Sequence, residues 1–129
     1  MATTNITLNG KNFKVSMYKG VWGYIKDWDA YKYRHRFVIS NGVTSTSFTY
    51  NDNNQISSKD DLIVALDCIF SDMDCTDFSF EEFCKELGYD SYDGKSMRIY
   101  KAILGQREQL AKVGITNEER MNFYDIYRS

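Results

Sequence analysis

Asp77-Phe78-Ser79-Phe80-Glu81-Glu82-Phe83-Cys84-Lys85-Glu86-Leu87-Gly88-Tyr89-Asp90 packs a helix start, an apolar face and a helix stop into one short stretch. The Ser79 hydroxyl can cap the helix while Glu82, three residues on, reaches back to the N–H of the cap, the capping-box arrangement. Phe80, Phe83, Cys84 and Leu87 fall on one face at helical spacing, and Gly88 supplies the left-handed residue that ends the helix. The stretch is a folding device with no catalytic constellation. It marks the C-terminal part of the chain as helical.

Upstream of it, Ser58 with Asp61 starts a helix whose stripe is Leu62, Ile63, Leu66, Ile69, Phe70 and Met73. Downstream, past Asp93-Gly94, a longer helix is expected through Met97, Tyr100, Ile103, Leu104, Arg107 and Val113, stopping at Gly114. Thr116 with Glu119 forms a third capping box and starts a terminal helix through Met121, Phe123, Tyr124 and Tyr127.

Before Ser58 the period is two instead of 3.6. Ile6 to Leu8 and Phe13 to Tyr18 alternate apolar and polar around Asn9-Gly10, a hairpin signature. A second hairpin is expected from Arg34 to Ser40 and Val43 to Tyr50, joined by Asn41-Gly42. Between the two hairpins, Tyr18 to Phe37 reads as a loop leading into a strand. About four strands followed by about four helices, without βαβ alternation, is the α+β class: antiparallel hairpins packed against helices. One domain is expected over residues 1–129, mainly β over 1–57 and mainly α over 58–129.

The chain has 129 residues, 43% hydrophobic and 16% aromatic, which is ample material for a core and excludes a disordered class. The start, Met1-Ala2-Thr3-Thr4-Asn5, has no basic segment followed by an apolar one, and no apolar run is long enough to span a membrane. A cytoplasmic protein is therefore expected. Cys68, Cys75 and Cys84 are odd in number and lie in helical patterns, so they read as reduced, buried thiols.

Net charge is −2 but unevenly spread. Residues 1–58 carry seven Lys/Arg against three Asp/Glu, net +4, and residues 59–129 carry nine against fifteen, net −6. In residues 59–93 two lysines face eleven carboxylates, a local −9. Such a cluster is either a solvated surface or a face for a basic partner, such as a nucleic-acid-handling protein.

Motifs for chemistry are missing. His35 is the one histidine, and nothing in the sequence places a cysteine beside it. The cysteine spacings contain no Cys-x-x-Cys, so no structural zinc is expected. Asp72-Met73-Asp74-Cys75-Thr76-Asp77 begins like a calcium loop, but Asp77 stands where a glycine is needed and Phe83 where a bidentate carboxylate should close the shell. The glycines form no phosphate-cradling pattern. No metal, cofactor or enzymatic activity is expected. The stretch 18–37 is different: Trp22, Tyr24, Trp28, Tyr31 and Tyr33 interleave with Lys19, Lys26, Lys32, Arg34, His35 and Arg36, the composition of a single-strand nucleic-acid surface. Aromatics in a sheet more often serve core packing or a protein interface, and the acidic balance of the chain, pI near 5.4, also weighs against free nucleic acid as the main partner.

Asp60 to Asp72, then Phe80-x-x-Phe83-Cys84-x-x-x-Gly88-Tyr89-Asp90, then a helix with Tyr100-Lys101-Ala102 together resemble a group of small proteins encoded by bacteriophages and mobile elements. The resemblance covers roughly residues 59–112. It implies a non-enzymatic inhibitor of a bacterial defence system, anti-CRISPR-like or antirestriction-like. Such a protein would bind a host effector, a Cas protein or comparable complex, in the cytoplasm of the infected cell. On that reading Asp67, Asp72, Asp74, Asp77, Glu81 and Glu82 steer the encounter, while Trp22, Tyr24 and Trp28 supply a buried hot spot. The rival is a small nucleic-acid-binding regulator that uses residues 18–37. A homodimer through an exposed aromatic patch is left open.

Overall fold

The structure, a computed structural model, describes residues 1–128. Four strands come first: β1 (Ala2–Leu8), β2 (Lys11–Ile25), β3 (Ala30–Ser40) and β4 (Ser45–Asp52). Four helices follow: α1 (Lys59–Cys75), α2 (Phe80–Leu87), α3 (Gly94–Lys112) and α4 (Asn117–Tyr127). The strands form one antiparallel sheet in the order β1-β2-β3-β4. This is the α+β arrangement that the element order predicts.

The first hairpin turns as expected. Asn9 and Gly10 have φ of 51° and 76°, the two positive angles of a tight turn whose twist matches the strands it joins. The Asn41-Gly42 turn is longer than expected. Asn41 Oδ1 accepts from the N–H groups of both Val43 and Thr44, and this side-chain cap extends the loop to Thr44. Val43, expected to open a strand, is 91% exposed in the turn, and β4 starts at Ser45.

The largest correction concerns residues 18–37. They are not a loop leading into a strand but the distal part of a long β2–β3 hairpin, closed by a turn in which Asp29 has φ of 47°. A bulge between Tyr18 and Val21 adds one residue to β2 and breaks the period-two pattern, which is why the strand escapes a reading by alternation. Gly20 sits in that bulge with both backbone groups held by one side chain. Its N–H donates to Gln55 Oε1 at 3.0 Å and its carbonyl accepts from Gln55 Nε2 at 3.1 Å. A Cβ at Gly20 would lie 2.9 Å from the ring of His35, so glycine is required by close approach. His35 is fully buried; its Nε2 donates to the Asn54 carbonyl at 3.2 Å, leaving Nδ1 without a partner among the described residues.

One row of the sheet, including Leu8, Phe13, Val15, Met17, Phe37 and Ile39, meets α1 through Leu62, Leu66, Phe70 and Met73. Phe83 of α2, Ile99, Ile103 and Leu110 of α3 and Phe123 of α4 complete the same cluster. The α1 stripe follows its prediction except that Ala65 is buried and Ile63 only half-buried. In α3 the buried face is Ser96, Ile99, Ile103 and Leu110, whereas Met97 is exposed and Tyr100 and Leu104 are half-buried. The face turns because α3 runs along the free edge of β4. There Gln106 Nε2 donates to the Thr49 carbonyl at 2.8 Å and Thr46 Oγ1 donates to Gln109 Oε1 at 2.8 Å, covering an edge that would otherwise be open. In α4 Met121 is exposed and Arg120 is buried in its place.

Of the three capping boxes expected, only Thr116 with Glu119 forms in full; at Ser58 and Ser79 the hydroxyl caps the helix, but among the described residues neither Asp61 nor Glu82 reaches back to the cap N–H. Ser58 Oγ accepts from Asp61 N at 3.1 Å and Ser79 Oγ from Glu82 N at 3.2 Å, while Glu119 Oε1 accepts from Thr116 N at 2.8 Å. Gly88, with φ of 75°, closes α2. The cysteines are free, but they are not uniformly buried: Cys84 is, Cys75 is half-buried and Cys68 is exposed, because it lies on the outer side of α1 beyond the stripe. Among the described residues no helix is long and apolar enough to cross a membrane.

Candidate functional site

Cross-strand register gathers large exposed side chains on the distal part of the β2–β3 hairpin. Beyond the bulge Trp22 pairs with Tyr33 and Tyr24 with Tyr31, so all four side chains project from one face of the hairpin. Trp22 and Tyr33 rings lie 4.9 Å apart, Trp22 and Tyr31 stack at 6.2 Å with 21° between planes, and Tyr24 and Tyr31 lie 5.5 Å apart. Trp22, Tyr24 and Tyr31 are each more than half exposed, at 53%, 52% and 60%. The Tyr24 hydroxyl donates to Asp29 in the turn, which holds its ring in place. Ile25, on the opposite face of the same strand, is buried, and on β3 Tyr31 and Tyr33 continue the row of His35, Phe37 and Ile39, so the aromatic surface is the exposed extension of the sheet's core-facing row.

Tyr31 and Tyr33 belong to this surface although sequence reasoning named only Trp22, Tyr24 and Trp28 as contact residues. The signal that finds them is register, which cannot be read until the bulge is known. Trp28 is placed elsewhere: half-buried, it meets Tyr89 edge-on at 6.0 Å and carries Lys32 Nζ at 5.9 Å from its ring.

The cations of 18–37 do not share the aromatic face. Lys32, Arg34 and Arg36 alternate with Tyr31, Tyr33 and His35 along β3 and point to the other side of the ladder. There Arg36 lies over the Tyr18 ring at 4.5 Å, and Lys32 Nζ donates to Asn53 Oδ1.

The predicted acidic residues divide sharply. Asp67 forms a two-pronged pair with Arg128, Nε to Oδ1 at 2.7 Å and Nη2 to Oδ2 at 3.1 Å. Asp74 accepts from Arg120 Nε at 2.7 Å and from the Tyr124 hydroxyl at 2.6 Å. Asp77 pairs with Arg107 Nη1 at 2.6 Å. Asp72 is largely withdrawn from water beneath the hairpin, and that burial pushes its carboxyl up to about 6. Glu81 and Glu82 are exposed in the first turn of α2, where the helix dipole favours them. The structure therefore commits Asp67, Asp74 and Asp77 to internal ion pairs. Asp72 is held inside, and Glu81 and Glu82 face solvent.

The thiols carry no sign of activation. Burial first, and then carboxylates such as Asp72 beside Cys68 and Cys75, push all three above their ordinary value, opposite to the shift a nucleophilic cysteine needs. Among the described residues no group of three or more His, Cys, Asp or Glu side chains is arranged to hold a metal ion. No protein-family profile, curated protein or solved structure matches the chain, so the likeness over residues 59–112 rests on its own motif.

Proposed function

We propose that this chain is a binding protein with no chemistry of its own, a phage-type inhibitor that docks on a bacterial defence effector in the host cytoplasm. The observation that carries the reading is the ordered, exposed aromatic row of Trp22, Tyr24 and Tyr31. Rigid Trp and Tyr side chains supply large contact area at small cost in conformational entropy and dominate binding hot spots. The setting, host defence in the anti-CRISPR or antirestriction sense, comes from the sequence resemblance over residues 59–112.

The placement of charge favours a protein partner over nucleic acid. A single-strand groove needs stacking rings and phosphate-binding cations on one surface. Here Lys32, Arg34 and Arg36 lie on the opposite face of the ladder from Tyr31 and Tyr33. The acidic half contributes a long-range field more than a contact surface, because three of its carboxylates are already paired with arginines. Glu81 and Glu82 remain free to meet a basic effector.

The test is phage plating on bacteria that carry an active CRISPR or restriction system and on the same strain lacking its effector. Expression of the chain should restore plating only in the defended strain, and Trp22→Ala with Tyr24→Ala and Tyr31→Ala should abolish that restoration. Failure to restore plating against any defence type, or full activity of the triple variant, overturns the proposal.

A further inference from the structure

The two edges of the sheet are treated differently. At β4 the edge is covered by α3, through Gln106 to the Thr49 carbonyl and Thr46 to Gln109. β1 is the other edge, and all seven of its residues, Ala-Thr-Thr-Asn-Ile-Thr-Leu, pair with β2 in unbroken register. The strand carries no charge, no proline and no bulge, the devices that keep an edge from pairing with another strand.

Turn geometry decides which of its backbone groups face outward. The two-residue Asn9-Gly10 turn makes Leu8 and Lys11 a hydrogen-bonded pair, and such pairs alternate along an antiparallel ladder. Ala2, Thr4, Ile6 and Leu8 therefore bond to β2, while Thr3, Asn5 and Thr7 turn their N–H and C=O groups away from it. Among the described residues these outward groups meet no hydrogen-bonding partner. The helices α1 and α4 pack on the row of Ala2, Ile6 and Leu8, which is buried, whereas Asn5 and Thr7 are exposed.

The order of side chains selects the occupant. Centred on Asn5, the row Thr3, Asn5, Thr7 reads the same in both directions. A second β1 laid antiparallel across the edge sets Thr3 of each copy opposite Thr7 of the other and the two Asn5 side chains opposite each other. The inner row continues in the same register, with Ala2 opposite Leu8 and Thr4 opposite Ile6. The outer face is already a polar ladder, in which Thr7 Oγ1 donates to Asn12 Oδ1 at 2.8 Å and Thr3 Oγ1 to Ser16 Oγ at 3.4 Å. The new pairs extend it, and no like charges meet at the axis.

We infer that β1 is a dimerisation edge: two copies of this chain pair antiparallel through Thr3, Asn5 and Thr7 and join their sheets about a twofold axis at Asn5. The outward groups supply about six main-chain hydrogen bonds across the axis. Ala2 pairs with Met17, so the distal part of the β2–β3 hairpin extends past the start of β1. Antiparallel symmetry sends the two hairpins to opposite ends of the joined sheet, and each row of Trp22, Tyr24 and Tyr31 stays uncovered.

The experiment is sedimentation equilibrium of the full chain over a wide range of concentration, with amide hydrogen exchange read residue by residue. A monomer–dimer equilibrium is expected. The amides of Thr3, Asn5 and Thr7 should be protected at high concentration and exchange freely on dilution, while those of Thr4 and Ile6, bonded to β2, stay protected throughout. Asn5→Lys sets like charges against each other on the axis and should raise the dissociation constant at least about tenfold. Asn5→Pro removes an N–H that β2 does not use and should do the same. Trp22→Ala with Tyr24→Ala should leave dimerisation unchanged. A monomer at every concentration, a dimer with Thr3, Asn5 and Thr7 unprotected, unchanged dimerisation in Asn5→Lys, or its loss in the aromatic variant overturns the inference.

Discussion

Arg120 lies with its Nε 2.7 Å from Asp74 Oδ1 and only 1% of its side chain exposed, so a helix that reads as amphipathic buries a guanidinium in the core. The pair joins α4 to the last turn of α1, and the Tyr124 hydroxyl donates to the other Asp74 oxygen at 2.6 Å. Removing one partner of a buried pair strands the other charge without water. Asp74→Ala should therefore destabilise the fold by about 3 kcal/mol, and Tyr124→Phe, which removes one hydrogen bond, by about 1 kcal/mol. Replacing Asp74 and Arg120 together by Leu and Met should recover most of the loss. Urea denaturation of the three variants measures each figure.

Glu119 should govern the acid limb of the stability curve. Burial pushes its carboxyl up, but the Thr116 hydroxyl and N–H, the Asn9 amide and Lys11 outweigh that and hold it down at about 2. Its ordinary value is 4.5. The folded pKa is the lower one, so the stabilisation is complete above about 4.5 and is lost as pH falls toward 2. Two to three pKa steps correspond to about 3 kcal/mol. Melting temperature measured from pH 5 to pH 2 should fall steeply in the native chain and more gently in Glu119→Gln.

These two relationships show where a sequence stops being legible. The caps at Ser58, Ser79 and Thr116, the Asn9-Gly10 turn and the change from period two to period 3.6 are local, and they deliver the α+β class and most element boundaries. The ion pairs Asp67–Arg128, Asp74–Arg120 and Asp77–Arg107 join residues far apart in the chain, so the charge count over 59–93 overstates the free acidity of the surface. The bulge at Gly20 hid the strand that follows it, and with it the register that places Tyr31 and Tyr33 beside Tyr24 and Trp22. Trp28 has the same composition context as Trp22 yet packs against Tyr89, because only the turn geometry decides which ring faces inward.

Asp72 should act in the opposite sense to Glu119. Its folded pKa, about 6, lies above the ordinary 3.8, so the native state holds its proton more tightly than the unfolded chain does. Stability from this group is fully present below about 3.8 and is lost as pH rises through about 6. Allowing for partial solvation, the loss is about 2 kcal/mol. Asp72→Asn should be more stable than the native chain at pH 7 and equal to it near pH 4. Thermal melts of both proteins across that range decide it.

Gly20→Ala should distort the hairpin. The new methyl would stand 2.9 Å from the ring of the fully buried His35 and 3.0 Å from Tyr33 Cβ, an atom fixed by the strand backbone. Overpacking of this kind costs about 1–3 kcal/mol. The near-ultraviolet circular dichroism of the Trp22–Tyr33 contact should change along with the melting temperature. A variant that melts and absorbs like the native chain would mean that the bulge relaxes freely.

The two faces of the hairpin should separate under substitution. Trp22→Ala with Tyr24→Ala removes exposed rings, so the stability change should stay near the 1–2 kcal/mol expected for lost ring–ring contacts, while effector binding falls by at least about a hundredfold, the size of a hot-spot loss of 2–3 kcal/mol. Lys32→Gln with Arg34→Gln and Arg36→Gln removes three cations from the opposite face and should leave effector binding within a few-fold. A single-stranded oligonucleotide partner would give the reverse ranking, because phosphate contacts carry most of its salt-dependent affinity. Calorimetric titrations of both variants with the purified effector and with an oligonucleotide, at low and high salt, measure the ranking directly. Loss of binding confined to the cation variant would move the docking surface to the Arg36 side of the sheet.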